Sequence, residues 1–250
     1  MGIMNKRSVR NYIRRLRLKR YNIVNGNNYN FAGFDISIPD DTAFNLKYSL
    51  IKNRYEDSEQ KLINKYLTQD TNVIELGGSL GLISKLITNI LDPESIFVTV
   101  EANPNIISYC KKNIYLKSRG HTTFVENFAI AYGVDKIKFH ISEDVSCSRV
   151  ANNELIENIE IPACTLASIV NKYLEGKSFT LVMDIEGGEL DVFKHDREIL
   201  KNCSLAIVEV HWQIINGNGF TEEDFLDLAC DAGLFPIDKD GSVYVLKRKN

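Results

Sequence analysis

Short apolar runs alternate with amphipathic segments along most of the chain. Residues 72–76, 96–100, 179–183 and 205–208 are rich in aliphatic and β-branched side chains, which is typical of buried strands. Between such runs, apolar residues recur every three or four positions, as at Leu80, Ile83, Ile87 and Ile90, and this predicts helices. Strands that alternate with helices predict a parallel sheet with helices on both faces.

Three further segments complete the predicted architecture. Residues 34–38 alternate between apolar and polar before a Pro, which predicts a strand ahead of the main domain. The alternation of strands and helices is later interrupted, where residues 137–141 predict a strand of an inserted hairpin and residues 142–158 a polar loop. Residues 235–237 and 243–246 flank an Asp-Gly turn and predict a terminal antiparallel hairpin. The predicted class is therefore α/β, with a doubly wound, mostly parallel sheet.

Charge is unevenly distributed along the 250 residues, which have a net charge of -3. Residues 1–20 contain eight Lys and Arg residues and no acidic residue. We therefore expect a basic arm over 1–20, a strand and helix extension over 21–57, and the main domain over 58–250. The arm is expected to attach to an anionic membrane surface or a protein partner, and a solvated terminal helix is the alternative. No nucleic-acid partner is expected, because the rest of the chain is acidic.

The cysteines argue against a structural metal or a disulfide framework. There are five, they are widely spaced, and no C-x-x-C occurs. No secretory signal and no apolar run long enough to span a bilayer is visible. These features predict reduced thiols and a cytoplasmic location.

A glycine-rich turn follows the strand at residues 72–76. Glycines allow a sharp turn and a close approach of a ligand to the backbone, and the residues of this turn are Gly77, Gly78, Ser79 and Gly81. Neither the dinucleotide spacing G-x-G-x-x-G nor a P-loop lysine is present. Glu101 ends the next strand and is placed to hold two ribose hydroxyls. Glu75, just before the turn, suits a cationic cofactor, so we infer S-adenosylmethionine; a structural strand–turn–helix is the alternative.

Two more residues are assigned to the cofactor site. Ala102 directly follows Glu101, and Asn127 follows the third strand, where adenine is often contacted in such folds. We expect Asn127 to contact adenine because an amide both donates and accepts hydrogen bonds. A structural role for Asn127 is the alternative.

Acidic residues and a histidine follow two strands that should be neighbours, and their side chains are expected to converge. They are Asp184, Glu186, Glu189, Glu209 and His211. Glu209 and His211 are two residues apart on a predicted strand and are expected to point to one face. A hydroxyl acceptor needs alignment with the methyl donor and a group that takes its proton. His211 is the predicted base with Asp184 orienting it, or the roles are exchanged. The group also suits Mg²⁺ or Mn²⁺, or it is only a polar turn that opens a helix.

Several segments resemble the FkbM family of S-adenosylmethionine-dependent methyltransferases. They are "NRYEDSEQKLINKYL", "VIELGGSLG", "VTVEANPN", "ENFAIA", "LVMDIEGGELDVF" and "AIVEVHWQ", within about residues 52–247. The resemblance implies a class I methyltransferase (Rossmann-like) fold with a seven-stranded sheet. It also implies O-methylation, commonly of sugar hydroxyls on glycans or natural products.

The resemblance assigns residues as well. Glu75, Gly77, Gly78, Ser79 and Gly81 match the family's cofactor loop, and Glu101 matches its ribose-binding acid. The chain departs from the family in having Glu75 where Asp is usual, and Gly78-Ser79 where Ala-Asn is usual. Two alternatives stay open. One is an N-methyltransferase, in which Glu186 and Glu189 bind a small amine; the other is a cofactor-binding module without catalysis.

Overall fold

The computed structural model of the chain describes residues 6–26, 28–115, 122–140, 149–150 and 158–249. The chain divides into two compact units, Met1–Asp57 and Ser58–Asn250. Most of the predicted polar loop at residues 142–158, and Cys147 within it, lie outside the described residues.

The first unit consists of helix α1 (Lys6–Asn25), strands β1 (Tyr29–Phe31) and β2 (Phe34–Ile36), and helix α2 (Phe44–Leu50). Strand β2 was predicted, whereas its antiparallel partner β1 was not. Helix α1 continues past residue 20, so the predicted end of the basic arm is not a structural boundary. The helix packs on the hairpin: Tyr29 stacks on Tyr21 with ring centroids 5.5 Å apart and donates a 3.0 Å hydrogen bond to Asn22 Oδ1.

The second unit contains the remaining elements. In chain order they are α3 (Asp57–Tyr66), β3 (Asn72–Leu76), α4 (Leu82–Ile90), β4 (Ile96–Val100), α5 (Ile107–Tyr115), β5 (Thr122–Glu126), β6 (Ala129–Ile130), β7 (Lys136–His140), β8 (Arg149–Val150), β9 (Asn158–Cys164), α6 (Leu166–Tyr173), β10 (Phe179–Met183), α7 (Glu189–His195), α8 (Arg197–Leu200), β11 (Cys203–Glu209), α9 (Trp212–Gly217), α10 (Glu222–Asp231), β12 (Leu234–Asp240) and β13 (Val243–Arg248).

Seven of these strands form the main sheet, in the order β12-β13-β11-β10-β3-β4-β5. The five strands from β11 to β5 are parallel, and β13 pairs antiparallel with both β11 and β12. This confirms the predicted doubly wound sheet with a terminal antiparallel hairpin. The sheet is buried on both faces at its centre, where every residue of β10 is buried, because helices cover both sides.

The predicted inserted hairpin is confirmed in its described part. Strand β7 pairs antiparallel with β9 and with the short β8. Helix α10 begins with a capping box, in which the side chains of Thr221 and Asp224 each accept a hydrogen bond from the other residue's backbone N–H.

The topology places the candidate residues together. Strand β3 lies between β4, which follows it in the chain, and β10, which comes much later. The strand order therefore reverses at β3, and ligands of such sheets bind beyond the carboxyl ends of the strands at this point. The glycine turn follows β3, Glu101 follows β4, and Asp184 follows β10.

The described cysteines are unpaired, and burial makes two of them unreactive. Cys110, Cys164, Cys203 and Cys230 are free thiols. Burial raises the pKa of Cys164 and of Cys203 to about 12, so both are unreactive. Within the described residues, no helix combines the length and the apolar character needed to cross a bilayer. The cytoplasmic location stays a prediction.

Candidate active site

Backbone hydrogen bonds hold the glycine turn after β3 against the end of β4. Gly77 and Gly78 both donate to Val100 O, at 2.9 and 3.1 Å, and Gly81 donates to Gly78 O at 2.7 Å. Gly77 has a φ of +94°, and a Cβ added there would lie 1.7 Å from Asp184 O. Only glycine fits this position, because the turn packs directly against the backbone that carries Asp184.

Glu101 links this turn to the end of β4. Its Oε2 accepts a hydrogen bond from Ser79 N and its Oε1 accepts one from Asn103 N, both at 2.6 Å. A carboxylate has about four lone-pair sites, so capacity for two hydroxyl donors remains. Burial raises the pKa of Glu101, and the backbone N–H donors partly oppose that rise. Its position and remaining acceptors fit the predicted ribose contact.

Glu75 lies beneath the turn, 2% exposed. Ser84 Oγ donates to Glu75 Oε2, whereas Oε1 has no hydrogen-bond partner among the described residues. Burial raises the pKa of Glu75 to about 7. Ser79 Oγ is also buried without a described partner. Since buried polar atoms are normally hydrogen-bonded, these two orphaned groups at the turn fit a polar cofactor such as S-adenosylmethionine.

Asn127 has contacts that differ from the predicted one. Its Nδ2 donates to Glu101 O at 2.7 Å and to Ala102 O at 3.0 Å. The side chain therefore fixes the backbone that follows β4, which is the structural alternative considered from the sequence. Contact of Asn127 or Ala102 with adenine stays a prediction. The neighbouring Glu126 forms an ion pair with Lys172 at 3.2 Å.

The four residues predicted to act in catalysis do meet at the carboxyl edge of the sheet. Glu189 is fully buried at the start of α7, and its Oε1 accepts from Gly187 N at 3.1 Å and lies 2.9 Å from His211 Nδ1. His211 Nε2 lies 3.5 Å from Asp184 Oδ1 and 3.4 Å from Glu186 Oε2. The imidazole is thus surrounded by three carboxylates, and Glu189 fixes its orientation.

Glu209 does not belong to this cluster, and its predicted convergence with the others is wrong. Its Oε1 accepts from Ser242 Oγ at 2.9 Å. The prediction assumed that Glu209 and His211 lie two residues apart on one strand and share a face. Strand β11 ends at Glu209, however, and His211 is already the N-cap residue of α9.

Electrostatics keep His211 positively charged at neutral pH. Burial acts to lower its pKa, but the hydrogen bond with Glu189 and the charges of Asp184, Glu189 and Glu186 outweigh this effect. Together they raise the pKa of His211 to about 9. An imidazolium cannot accept a proton, so the group available as a base in this arrangement is a carboxylate.

The cluster directly adjoins the glycine turn. Asp184 N donates to Leu76 O at 2.9 Å, so the residue that follows β10 is bonded to the residue that precedes the turn. Asp184, Glu186 and His211 also offer ligand atoms that lie within 4.8 Å of one another. The site can therefore take a proton, orient a polar acceptor, or hold a divalent cation beside the cofactor turn.

Sequence reasoning missed the residues that shape this site through tertiary contacts. Glu186 and Gly187 have positive φ values of 55° and 107°, which turn the chain back after Asp184. A Cβ on Gly187 would lie 2.7 Å from Ile214 Cγ2 of α9. The paired glycines after Glu186 were the one visible signal of this turn, whereas the bond from Ser84 to Glu75 has no local sequence signal.

Comparison with known proteins supplies the family. A search of the curated proteins finds no match. Among solved structures, the chain is similar to magnesium protoporphyrin IX methyltransferase from Synechocystis PCC 6803 with bound S-adenosylmethionine, at 10% identity, 99% coverage of each chain and a TM-score of 0.47. It is also similar to a protein of the NADB-Rossmann superfamily from Streptococcus agalactiae, at 11% identity, 78% coverage of this chain, 71% of that chain and a TM-score of 0.46.

The family model named Methyltransferase FkbM domain matches residues 82–233. This stretch is shorter than the predicted 52–247. It begins just after the glycine turn, and it includes Glu101, the segment from Asp184 to Glu189, and His211. Because the match covers more than half of the chain and the strand order is that of a class I methyltransferase, the chain belongs to the FkbM family of S-adenosylmethionine-dependent methyltransferases.

Proposed function

We propose that the protein is an O-methyltransferase that acts on a hydroxyl of a sugar in a glycan or a glycosylated natural product. One observation carries this proposal. The buried Glu189 holds His211 so that Nε2 lies between Asp184 and Glu186, and Asp184 is bonded to the strand end that precedes the glycine turn. Carboxylates and an oriented imidazolium are the groups that bind and deprotonate a neutral hydroxyl acceptor.

The glycine turn after β3, together with Glu75 and Glu101, forms the part of the site that would bind the cofactor. Glu101 would accept hydrogen bonds from the ribose hydroxyls, and the turn from Gly77 to Gly81 would hold the cofactor through its backbone. Glu75 and Ser79 offer their unpaired oxygens to its polar groups. Bound S-adenosylmethionine supplies a methyl group already activated by a sulfonium. The protein therefore has mainly to align the acceptor and remove its proton, and alignment alone lowers a barrier by about 7–11 kcal/mol.

Asp184 is the base in this proposal. His211 is protonated at neutral pH, so it donates hydrogen bonds and orients the acceptor, with Glu186 beside it. Glu189 acts on His211 and is a positioning residue. Asp184 is only partly buried, with 29% of its side chain exposed, so an acceptor can reach it.

The test is Asp184→Asn, which keeps the shape of the side chain and removes the charge. Methyl transfer to a panel of sugars is expected to fall by about 10²–10⁴-fold, the usual effect of losing a general base. Calorimetric affinity for S-adenosylmethionine and the melting temperature should stay close to wild type. Undiminished transfer by a folded Asp184→Asn protein would contradict the assignment of the base.

The mutual spacing of Asp184, Glu186 and His211 also supports a metal-assisted version of this proposal. Carboxylate oxygens with one imidazole suit Mg²⁺ or Mn²⁺, so Asp184, Glu186 and His211 would hold such an ion, which would supply a Lewis acid for the acceptor hydroxyl. Turnover is then abolished by a chelator and restored by added Mn²⁺. Turnover that is indifferent to the chelator supports the metal-free base.

The same assay distinguishes the two alternatives, an N-methyltransferase and a cofactor-binding module without catalysis. An ammonium acceptor would compete with the His211 cation for the same carboxylates, which favours a hydroxyl over an amine. Turnover with amines but not with sugars would establish the N-methyltransferase instead. Cofactor binding without turnover on either panel would indicate a module that has lost catalysis.

A further inference from the structure

Helix α1 carries an apolar face that is largely exposed. Six of the nine exposed large hydrophobic side chains among the described residues lie on this helix, and they are 40% to 76% exposed: Val9, Tyr12, Ile13, Leu16, Ile23 and Val24. At about 100° per residue all six fall within an arc of about 120°. Leu18 lies on the opposite side of the helix and is buried. The helix therefore packs on its own unit by one face and presents the other face to solvent.

A cationic groove runs beside this apolar face. Arg10, Arg14 and Arg17 lie along one flank of α1, and together with Lys52 and Arg54 they line a groove of about 630 Å³. No acidic residue is among the groove's lining residues. Tyr48 also lines the groove; Arg17 Nη1 donates to its hydroxyl at 3.5 Å, and the Arg14 guanidinium lies 5.3 Å from its ring centroid.

The two units also have net charges of opposite sign. Residues 1–57 contain eleven Lys and Arg residues against five acidic residues, a net charge of +6, whereas the remainder has a net charge of -9. A helix with a broad apolar face, flanked by cations and without acidic residues, is the type that lies in the plane of a membrane surface. Guanidinium groups also bind phosphate oxygens in a bidentate manner, which a lipid headgroup offers.

We propose that α1 is a peripheral membrane anchor. Its apolar face inserts at the boundary between headgroups and acyl chains, and the groove beside it binds the phosphate of an anionic lipid. The function of the helix is to hold the methyltransferase at an anionic lipid surface. This inference rests on the first unit alone, so it is independent of the proposed acceptor.

The test is co-sedimentation of the full chain with vesicles made of equal parts of phosphatidylcholine and phosphatidylglycerol. The variant Arg10→Gln/Arg14→Gln/Arg17→Gln is expected to lose on the order of 100-fold in partition coefficient, because each cation at an anionic surface contributes roughly fivefold. A matched control, Lys111→Gln/Lys177→Gln/Lys247→Gln, removes the same charge from exposed positions of the second unit and should bind like wild type. Ile13→Ser/Leu16→Ser tests the apolar face and should weaken binding at every salt concentration.

The outcomes separate lipid from other occupants. Salt-sensitive binding that is lost in the Arg variant and weakened in the Ile13→Ser/Leu16→Ser variant supports the anchor. Equal binding to vesicles of pure phosphatidylcholine, equal losses in the matched control, or no binding by the folded wild type overturns it. A dimer in vesicle-free solution that the Arg variant dissociates identifies a second copy, with its acidic unit, as the occupant, and overturns the lipid assignment. Affinity for S-adenosylmethionine, measured in parallel, shows whether the methyltransferase proposal fails separately.

Discussion

Replacing Gly77 with Ala tests whether the cofactor turn and the reaction cluster depend on one close backbone contact. An added Cβ would lie 1.7 Å from Asp184 O, and real Cβ contacts are essentially never under 3.0 Å. The turn and the end of β10 must therefore separate by more than 1 Å. The φ of +94° adds roughly 1–2 kcal/mol of strain for any L-residue.

The magnitude follows from these two costs. Strain and overpacking together should lower the free energy of unfolding by about 2–5 kcal/mol. A misplacement near 1 Å at the reacting groups costs on the order of 10²-fold in rate, so kcat/KM should fall by at least that factor. The affinity for S-adenosylmethionine should fall too, because the same turn carries Ser79 N and its bond to Glu101.

Gly176→Ala is the matched control. Gly176 also has a positive φ, of 84°, but nothing lies within 4 Å of an added Cβ. Backbone strain should lower the free energy of unfolding of this variant by only about 1–2 kcal/mol, and its kinetics should match those of the wild type. Thermal unfolding, calorimetric titration with the cofactor and methyl transfer below the melting temperature are measured for both variants. If Gly77→Ala matches Gly176→Ala in stability and retains full activity, the coupling argued from the close contact is refuted.

Three further predictions concern the charged groups. Glu101→Ala should largely remove calorimetric binding of S-adenosylmethionine, and wild-type-like affinity would show that Glu101 does not hold the ribose. Because the pKa of His211 is raised to about 9, its protonation stabilises the fold fully below about pH 6.5, and this stabilisation is lost as pH rises through 9. With chelator present, the free energy of unfolding of the wild type should fall by about 3 kcal/mol over that range, and that of His211→Ala should not. Because burial raises the pKa of Glu75 to about 7, ionisation of this group makes folding less favourable as pH rises from 4.5 to 7. Glu75→Gln should therefore make the free energy of unfolding depend less on pH in that range. A dependence as steep as that of the wild type would contradict the burial argument.

The sequence predicted the parallel sheet because its strands are short, apolar and separated by amphipathic helices, a pattern with few other solutions. It also located the edge of the sheet where the site lies, since the glycine turn, Glu101 and Asp184 each follow a strand. It failed at contacts that arise only from packing. The predicted role of Glu209 assumed that β11 continues to His211, but the strand ends at Glu209 and α9 begins with His211 as its N-cap.

The protonation of His211 was equally out of reach of the sequence, for a physical reason. An unperturbed histidine titrates near pH 6.5 and can serve as a base, which is one of the two roles predicted for His211; in the other, Asp184 is the base. Its pKa in the folded chain depends on how many carboxylates face each ring nitrogen, and Asp184, Glu186 and Glu189 reach the imidazole through the turn between β10 and α7. Spacing along the chain contains no information about that number.

Burial of Glu189 explains why this residue and His211 form a unit. A fully buried carboxylate loses its hydration, a cost of several kcal/mol that is offset only by a paired charge and hydrogen bonds. Glu189 has one hydrogen bond from Gly187 N and one contact with the charged His211, while its Oε2 has no partner among the described residues. Removing His211 therefore leaves an uncompensated buried charge, whereas removing both groups does not. Glu189→Gln/His211→Asn should accordingly be more stable than His211→Asn alone, yet equally inactive. If the stability losses of Glu189→Gln and His211→Asn simply add in the double variant, the two residues are not energetically coupled.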